Sequence, residues 1–222
     1  MLALDLFAPE RIVVAPGAFY FPSWLTLKGQ RELIGLCRQW ASAPTGFRTP
    51  RMADGTPLSI KSIYLGWDWK HGSGYTRMHD ETANIPVRAF PPELAALSVN
   101  AYEHTFGTKD LFAPDSAILN WYDENAKLGM HQDRGETDAV RIHGSPVISI
   151  SLGDAAVFRF GNTKTRGKPF RDVVLKSGDL FVFGGPSRMA YHGITKVFPG
   201  TAPAELGPFK GRLNITIRET GL

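Results

Sequence analysis

The chain has 222 residues and one cysteine, Cys37, which excludes an intrachain disulfide and a cysteine-rich zinc site. Its net charge of +4 is a modest excess that permits, but does not require, a polyanionic partner such as nucleic acid. The first ten residues lack the basic segment of a signal peptide, and no apolar run approaches about eighteen residues. We therefore expect a cytoplasmic protein with no membrane span.

Two helices are predicted in the first half of the chain. Residues 24–41 carry apolar side chains near helical spacing, and Pro44 lies just beyond their end. The second helix is predicted from Pro92 to Phe106, because proline suits the first turn of a helix and Gly107 suits its end. We expect both helices to pack against the core rather than to carry the functional site.

The segment between these helices, residues 44–91, is irregular and rich in glycine, proline, aromatic residues and arginine. Within it, the run S-I-K-S-I-Y-L-G-W-D-W-K at 59–70 has the composition of a strand, with a glycine that permits a turn. We predict a strand here that leads into a hairpin.

From Ala117 onward, short β-like runs follow one another, and turn residues separate most of them. The runs are A-I-L-N-W-Y, K-L-G-M-H-Q-D, V-I-S-I-S-L-G, A-V-F-R-F-G, D-V-V-L-K, D-L-F-V-F-G-G and R-L-N-I-T-I-R. Many short strands with no helices between them indicate antiparallel sheets that close into a jelly roll or a sandwich. We predict a mainly β fold with flanking helices (α+β) in one domain, 1–222, with an N-terminal extension at 1–116 and the core at 117–222.

Three polar residues in this core have the chemistry of a metal site. His131 and Asp133 are two positions apart, so on a strand they point to the same face, about 6.6–6.8 Å apart along it. His192 comes much later and must therefore lie on another strand. Two imidazoles and a carboxylate can occupy one face of an octahedral metal and leave the other face open, as in non-haem Fe(II) oxygenases.

The last strand-like run alternates polar and apolar residues. Period two puts its polar side chains on one face, namely Arg212, Asn214, Thr216 and Arg218. An arginine fork pairs bidentately with a carboxylate, so two arginines beside a metal suit a keto-acid with two carboxylates. Asn120 and Tyr122 can add donors from a facing strand. Taken alone, this alternation also fits a half-exposed strand, and H-x-D also fits a surface pair.

With these residues in place, the chain resembles the AlkB family of Fe(II)- and 2-oxoglutarate-dependent dioxygenases. The motifs that carry the resemblance are L-N-W-Y (119–122), L-G-M-H-Q-D (128–133), I-S-I-S-L-G (148–153), F-R-F-G (158–161), S-G-D-L-F-V-F-G-G-P-S-R (177–188), Y-H-G-I (191–194) and R-x-N-x-T-x-R (212–218). The region 60–92, through L-G-W and G-Y, is similar to the family's nucleotide-recognition lid, which we expect at about 44–91.

The resemblance implies a double-stranded β-helix, which is a jelly roll, with Fe(II) on His131, Asp133 and His192 and with Asp133 as a catalytic residue. It implies 2-oxoglutarate and O₂ as co-substrates, with the distal carboxylate of 2-oxoglutarate on Arg212. The other co-substrate residues that it implies are Asn120, Tyr122, Asn214 and Arg218. The implied reaction is the demethylation of N-alkylated bases in DNA or RNA, such as 1-methyladenine and 3-methylcytosine. Formaldehyde, succinate and CO₂ are released, and a monomer with no obligate protein partner is expected.

A base inside a duplex cannot reach a buried iron, so the base must be flipped out or arrive single-stranded. Trp67 and Tyr75 are the candidates to stack on it or clamp it, and Trp69 competes with them. Arg134 and Glu136 are further substrate-binding candidates. Residues that could contact phosphate are Lys61, Arg77, Arg134, Lys164, Arg166 and Lys168.

One position departs from the family pattern. Repair members often carry an acid two residues after the metal aspartate, where this chain has Gly135. Either Glu136 takes the place of that acid after a small loop shift, or the preferred base differs.

Three other functions remain open from the sequence. A zinc hydrolase also uses two histidines and an acid, but it needs a general base that the sequence does not identify and gives the paired arginines no role. An oxygenase of the same fold could act on a protein side chain or a small metabolite. A nucleic-acid-binding module with a vestigial metal site is less consistent with an intact H-x-D, His192 and both arginines.

Overall fold

The computed structural model describes residues 10–70, 72–80, 84–108 and 112–222. The start of the chain, where we expect no signal peptide, and short pieces of the predicted lid lie outside the described residues. No helix in the described ranges is long and apolar enough to cross a membrane.

The strands form two larger antiparallel sheets and two small hairpins. In chain order they are β1 (Ile12–Ala15), β2 (Ala18–Phe21), β3 (Lys61–Leu65), β4 (Asp68–Lys70), β5 (Gly74–Thr76), β6 (Met78–Asp80), β7 (Ile85–Pro86), β8 (Ser116–Tyr122), β9 (Leu128–His131), β10 (Val147–Gly153), β11 (Ala155–Gly161), β12 (Phe170–Leu175), β13 (Leu180–Phe183), β14 (His192–Phe198) and β15 (Arg212–Arg218). The seven-stranded sheet has the order β1-β2-β13-β10-β15-β8-β3, and the four-stranded sheet has the order β12-β11-β14-β9. This arrangement confirms the predicted mainly β fold of jelly-roll type.

Two apolar cores lie on the two faces of the seven-stranded sheet. On one face, Leu33 and Leu94 of the helices share a buried cluster with Ile150 and Ile215. On the other face, side chains of β11 pack against those of β13, and the rings of Phe158 and Phe181 lie 4.8 Å apart. Every second residue of a strand points to the same face, so the apolar residues of β15 point to the helices and its polar residues to the space between the sheets.

The helices are α1 (Leu27–Trp40), α2 (Pro92–Phe106) and α3 (Asp138–His143). Helix α2 has the predicted bounds, and Gly107 ends it in the left-handed region at φ 76°. Helix α1 begins later than residue 24, because the side chain of Thr26 accepts a hydrogen bond from Gly29 N and so caps the first turn.

Two details of the prediction are wrong. The sequence predicts no helix after Ala117, yet α3 lies between β9 and β10. Six residues are too few to show helical periodicity, and only the flanking caps, Thr137 and Gly144, indicate this helix in the sequence. The sequence predicts that the segment 44–91 is irregular apart from one strand and a hairpin, yet this segment contains β3 to β7. The predicted strand and hairpin at 59–70 are confirmed as β3 and β4, and β4 pairs with β5.

Strand register brings the polar residues of the second half together. β14 pairs with β9 so that His192 stands opposite His131. β15 pairs with β8, which places Arg212 opposite Tyr122 and Asn214 opposite Asn120.

Candidate metal and co-substrate site

Three ligand atoms converge between the two sheets. His131 ends β9, Asp133 follows it in the next loop, and His192 begins β14. Their ligand atoms all lie within 4.8 Å of one another. Nε2 of His131 is 3.8 Å from Asp133 Oδ1, and Nε2 of His192 is 3.9 Å from Asp133 Oδ2. These separations are short enough for one ion to contact all three groups.

Backbone carbonyls orient both imidazoles. His131 Nδ1 lies 2.8 Å from Gly129 O, and His192 Nδ1 lies 3.0 Å from Ala190 O. An Nδ1–H that donates to a carbonyl leaves the lone pair of Nε2 directed at the centre of the site. This is the tautomer that a metal-binding histidine needs.

Burial and neighbouring charges prepare the ligands for a cation. Burial by itself raises the pKa of Asp133, but Arg218 and the two histidines hold it well below its usual range. Burial and the proximity of His131 lower the pKa of His192 to about 4. Asp133 Oδ2 accepts no hydrogen bond from any residue that the structure describes. A carboxylate ionised in this way, beside a neutral imidazole, fits a divalent metal.

Arg212 is a buried cation with unused donors. It is 0% exposed, and its Nη2 donates a hydrogen bond of 2.9 Å to Ser151 Oγ. Its Nε and Nη1 have no partner among the described residues. Burial lowers the pKa of Arg212 to about 10, so it is still a cation at neutral pH. A buried guanidinium with free donors fits a carboxylate ligand.

The predicted co-substrate residues share one pocket with the predicted metal ligands. Those that line it are Asn120, Tyr122, Arg212, Asn214 and Arg218. Asn214 is fixed by a hydrogen bond of 2.8 Å from its Nδ2 to Ser149 Oγ, and Asn120 Oδ1 accepts one of 2.7 Å from Ser62 Oγ.

Arg218 differs from Arg212, because protein carboxylates already surround it. Its Nε lies 3.2 Å from Asp133 Oδ2, and its Nη1 lies 3.4 Å from Glu136 Oε1. Burial by itself lowers the pKa of Arg218. The nearby Asp133 carboxylate, the Tyr75 hydroxyl and the Glu136 carboxylate together raise this pKa above its usual value. Arg218 therefore balances the charge of the site as well as lining the pocket.

The aromatic residues of the β4–β5 hairpin lie beside this site. The ring of Tyr75 contacts both tryptophans, with centroids 6.4 Å from Trp67, which directly precedes β4, and 5.2 Å from Trp69. The guanidinium of Arg77 is 3.5 Å from the centre of the Trp67 ring, and Trp67 Nε1 donates a hydrogen bond of 3.2 Å to Asp115. One face of Trp67 is thus covered, so a base can stack only on the other.

The structure argues against Glu136 as a replacement for the missing acid. Glu136 is 2% exposed, and its Oε2 lies 2.8 Å from Arg188 Nη2. Tyr75 donates a hydrogen bond of 3.3 Å to its other oxygen. A carboxylate engaged on both oxygens is not free to face a base. Sequence reasoning missed Arg188 as a partner, although it ends the motif at 177–188.

The basic candidates for phosphate contact are spread over several elements. Arg134 is exposed and donates a hydrogen bond to the side chain of Gln132. Lys61 lies over the ring of Trp121, 5.6 Å from its centre. The remaining candidates, Lys164, Arg166 and Lys168, are exposed in the loop between β11 and β12.

Comparison with known proteins places this site in a family. A model of the 2OG-Fe(II) oxygenase superfamily matches residues 17–218. The chain is 37% identical to the alpha-ketoglutarate-dependent dioxygenase AlkB of Escherichia coli (strain K12), over 98% of each chain. It is 34% identical to the DNA N(6)-methyladenine demethylase ALKBH1D of Arabidopsis thaliana, over 93% of this chain and 50% of that protein. The chain therefore spans about half the length of the plant relative.

Among solved structures, the protein is similar to OsALKBH1, with a TM-score of 0.83 and 30% sequence identity, over 95% of this chain and 100% of that chain. The shared jelly roll and the superfamily match define a dioxygenase that depends on Fe(II) and 2-oxoglutarate. The chain belongs to the AlkB family of these enzymes, as its motifs predicted. The family match and the three convergent ligand atoms support Fe(II) as the cofactor and 2-oxoglutarate as the co-substrate.

Proposed function

We propose that this enzyme oxidatively demethylates N-alkylated bases of nucleic acid, with His131, Asp133 and His192 as the iron ligands in a single catalytic domain. The observation that carries the proposal is the convergence of three ligand atoms within 4.8 Å in the pocket that Arg212 also lines. A zinc hydrolase would need a general base beside a metal-bound water, and among the residues that line this pocket the one carboxylate is Asp133, which is itself a proposed ligand.

Several polar residues of the pocket have tasks that follow from their chemistry. Arg212 binds the distal carboxylate of 2-oxoglutarate through the donors that Ser151 leaves free, and Asn120, Tyr122 and Asn214 complete the pocket wall. When bound, Fe(II) supplies the redox chemistry by which O₂ oxidises both 2-oxoglutarate, to succinate and CO₂, and the N-methyl carbon of the base. The hydroxymethyl group so formed on the base leaves as formaldehyde. Apolar side chains that also line the pocket, among them Val147, Phe158 and Phe183, exclude water, which protects the oxidation from side reactions.

The substrate is a base of DNA or RNA that is single-stranded or flipped out of a duplex, such as 1-methyladenine or 3-methylcytosine. The aromatic hairpin supports this, because Trp67 and Tyr75 offer ring surfaces beside the pocket. Arg134 is exposed and directly follows Asp133 in the run 133–136, called here the metal loop, and it is proposed to contact the phosphate backbone. The names of the Escherichia coli and Arabidopsis relatives support the same class of reaction. We propose that the enzyme acts in the cytoplasm, where iron stays ferrous.

A two-product assay tests the proposal. The anaerobically iron-loaded protein is mixed with 2-oxoglutarate, ascorbate and an oligonucleotide that contains N1-methyladenine, and air is then admitted. We expect demethylated base and succinate together, and we expect both to be lost in Asp133→Ala. Asp172→Asn, which breaks an exposed ion pair with Arg159, serves as the control. Succinate without demethylation would point to another substrate. Near-normal turnover by Asp133→Ala would refute the ligand assignment.

A further inference from the structure

Two of the buried charges beside the metal ligands have no task in the proposed reaction. Arg188 follows β13 in the loop that leads to β14, and Glu136 lies three residues after Asp133. Both are 2% exposed, and Arg188 Nη2 lies 2.8 Å from Glu136 Oε2. A buried ion pair is weak evidence for stability, because desolvation offsets much of its attraction. Its place beside the site therefore suggests a functional use.

Arg188 also binds the metal loop directly. Its Nη1 donates a hydrogen bond of 3.0 Å to the main-chain oxygen of Asp133. One guanidinium thus contacts both the first and the last residue of the run 133–136. This fixes the backbone from which the Asp133 side chain projects toward the histidines.

Glu136 reaches the side chain of Asp133 from the other direction, through Arg218. Glu136 Oε1 lies 3.4 Å from Arg218 Nη1, and Arg218 Nε lies 3.2 Å from Asp133 Oδ2. Tyr75 completes the set, since its hydroxyl donates to Glu136 and accepts from Arg218, each at 3.3 Å. The position of Arg218 beside the ligand carboxylate is therefore set by Glu136 and by a residue of the β4–β5 hairpin.

We infer that Glu136 and Arg188 are positioning residues that hold Asp133 and Arg218 in the arrangement that binds the metal. The inference rests on the proposed iron ligands. Groups that orient metal ligands typically change metal affinity by about 10–100-fold when they are removed. Arg188 acts through the backbone of the ligand, and Glu136 acts through the cation next to its carboxylate, so the two substitutions weaken the same measured affinity.

Mn(II) binding to the full chain in the presence of 2-oxoglutarate, followed by isothermal titration calorimetry, tests this role without turnover. Glu136→Gln keeps the shape of the side chain and removes its charge. Arg188→Lys keeps the charge but cannot contact both ends of the loop. We expect each variant to bind Mn(II) at least about 10-fold more weakly than the parent protein. We also expect each variant to unfold cooperatively in urea, as the parent does. Asp172→Asn is the matched control, because its ion pair lies on the outer face of the four-stranded sheet, and it keeps the parent affinity.

Mn(II) affinities of Glu136→Gln and Arg188→Lys within about twofold of the parent value would overturn the positioning role. If Glu136→Gln does not fold, Arg188→Lys decides by the same criterion. A parent protein that binds no Mn(II), or an Asp133→Ala variant that binds it equally well, would overturn the proposed ligands and this role together. The parent protein could bind Mn(II), and both variants could bind it more weakly, while the parent fails to demethylate the oligonucleotide. That result would support the positioning role and refute only the choice of substrate.

Discussion

The ring of Trp69 lies so close to the main chain of Gly135 that a Cβ atom at position 135 would fall 2.7 Å from two of its carbons. The same atom would lie 2.9 Å from Cε2 of Tyr75. Trp69 and Tyr75 are directly paired across the β4–β5 hairpin. Because Gly135 has no side chain, Trp69 and Tyr75 of the hairpin can pack directly against the main chain of the metal loop.

We predict that Gly135→Asp, which introduces the acid common in repair members of the family, lowers demethylation rather than raising it. The new side chain must displace Trp69 and Tyr75, and overpacking of this kind costs about 1–3 kcal/mol. Initial demethylation rates and urea unfolding check the prediction. Gly135→Ala adds only the Cβ and should already show most of the loss. Higher activity of Gly135→Asp at unchanged stability would show that the hairpin moves aside freely.

The sequence predicted those features that depend on helix-terminal residues and on the spacing of polar and apolar side chains. Pro92 and Gly107 mark the ends of α2, and the alternation in β15 assigns Arg212 and Arg218 to one face. The partners of buried charges could not be predicted in this way. Glu136 is far from Arg188 in the chain, and only the packing of the loop after β13 onto the metal loop reveals the pair. Without that contact, Glu136 looks like an ordinary loop acid.

The two closing arginines are expected to respond differently to substitution. Arg212→Ala should weaken 2-oxoglutarate binding by about 2–5 kcal/mol, because a buried carboxylate would lose its partner. Arg212→Lys should recover part of this loss, since lysine keeps the charge but not the fork. Calorimetric titration of the Mn(II)-loaded protein with 2-oxoglutarate measures both. An unchanged affinity in Arg212→Ala would assign the distal carboxylate to another residue.

The pH dependence of this binding follows from the lowered pKa of Arg212. The guanidinium is charged below its pKa of about 10, so its contribution to 2-oxoglutarate affinity is constant across the neutral range. A carboxylate bound to the guanidinium favours the charged form further, so Arg212 stays a cation in the complex. Titrations of the parent and Arg212→Ala between neutral and moderately alkaline pH check this, and we expect the difference between the two affinities to stay constant. A difference that shrinks within that pH range would contradict the prediction.

Trp67 and Trp69 compete for the role of stacking partner, and paired substitutions separate them. We predict that Trp67→Ala weakens binding of a methylated oligonucleotide by about 1–3 kcal/mol, the usual value of a base–aromatic contact. Succinate formation in the absence of nucleic acid should persist. Trp67→Phe keeps an aromatic face and loses the hydrogen bond to Asp115, so it should retain most of the affinity. A larger loss of oligonucleotide affinity in Trp69→Ala, with Trp67→Ala near the parent value, would assign the stacking to Trp69.

Asp154 is predicted to be a stabilising residue for the end of the fold that carries Arg212. It is 4% exposed and lies between β10 and β11, where its carboxylate accepts hydrogen bonds from Thr201 N and Ala202 N at 2.9 Å and from Gly211 N at 3.2 Å. These donors belong to the connection between β14 and β15, so one carboxylate anchors the segment that leads into Arg212.

Asp154→Ala would leave three backbone N–H groups without this acceptor. Since each hydrogen bond to a charged group contributes about 1.5–3 kcal/mol, we expect a loss of at least about 3 kcal/mol in the free energy of unfolding. Urea unfolding measures it, and Asp154→Asn, which can still accept from part of the set, should lose less. The exposed carboxylate of Asp172 provides the comparison, because loss of its surface ion pair should cost no more than about 1 kcal/mol. A cost for Asp154→Ala as small as that of Asp172→Asn would mean that water replaces the carboxylate, and that the connection holds Arg212 in place by other contacts.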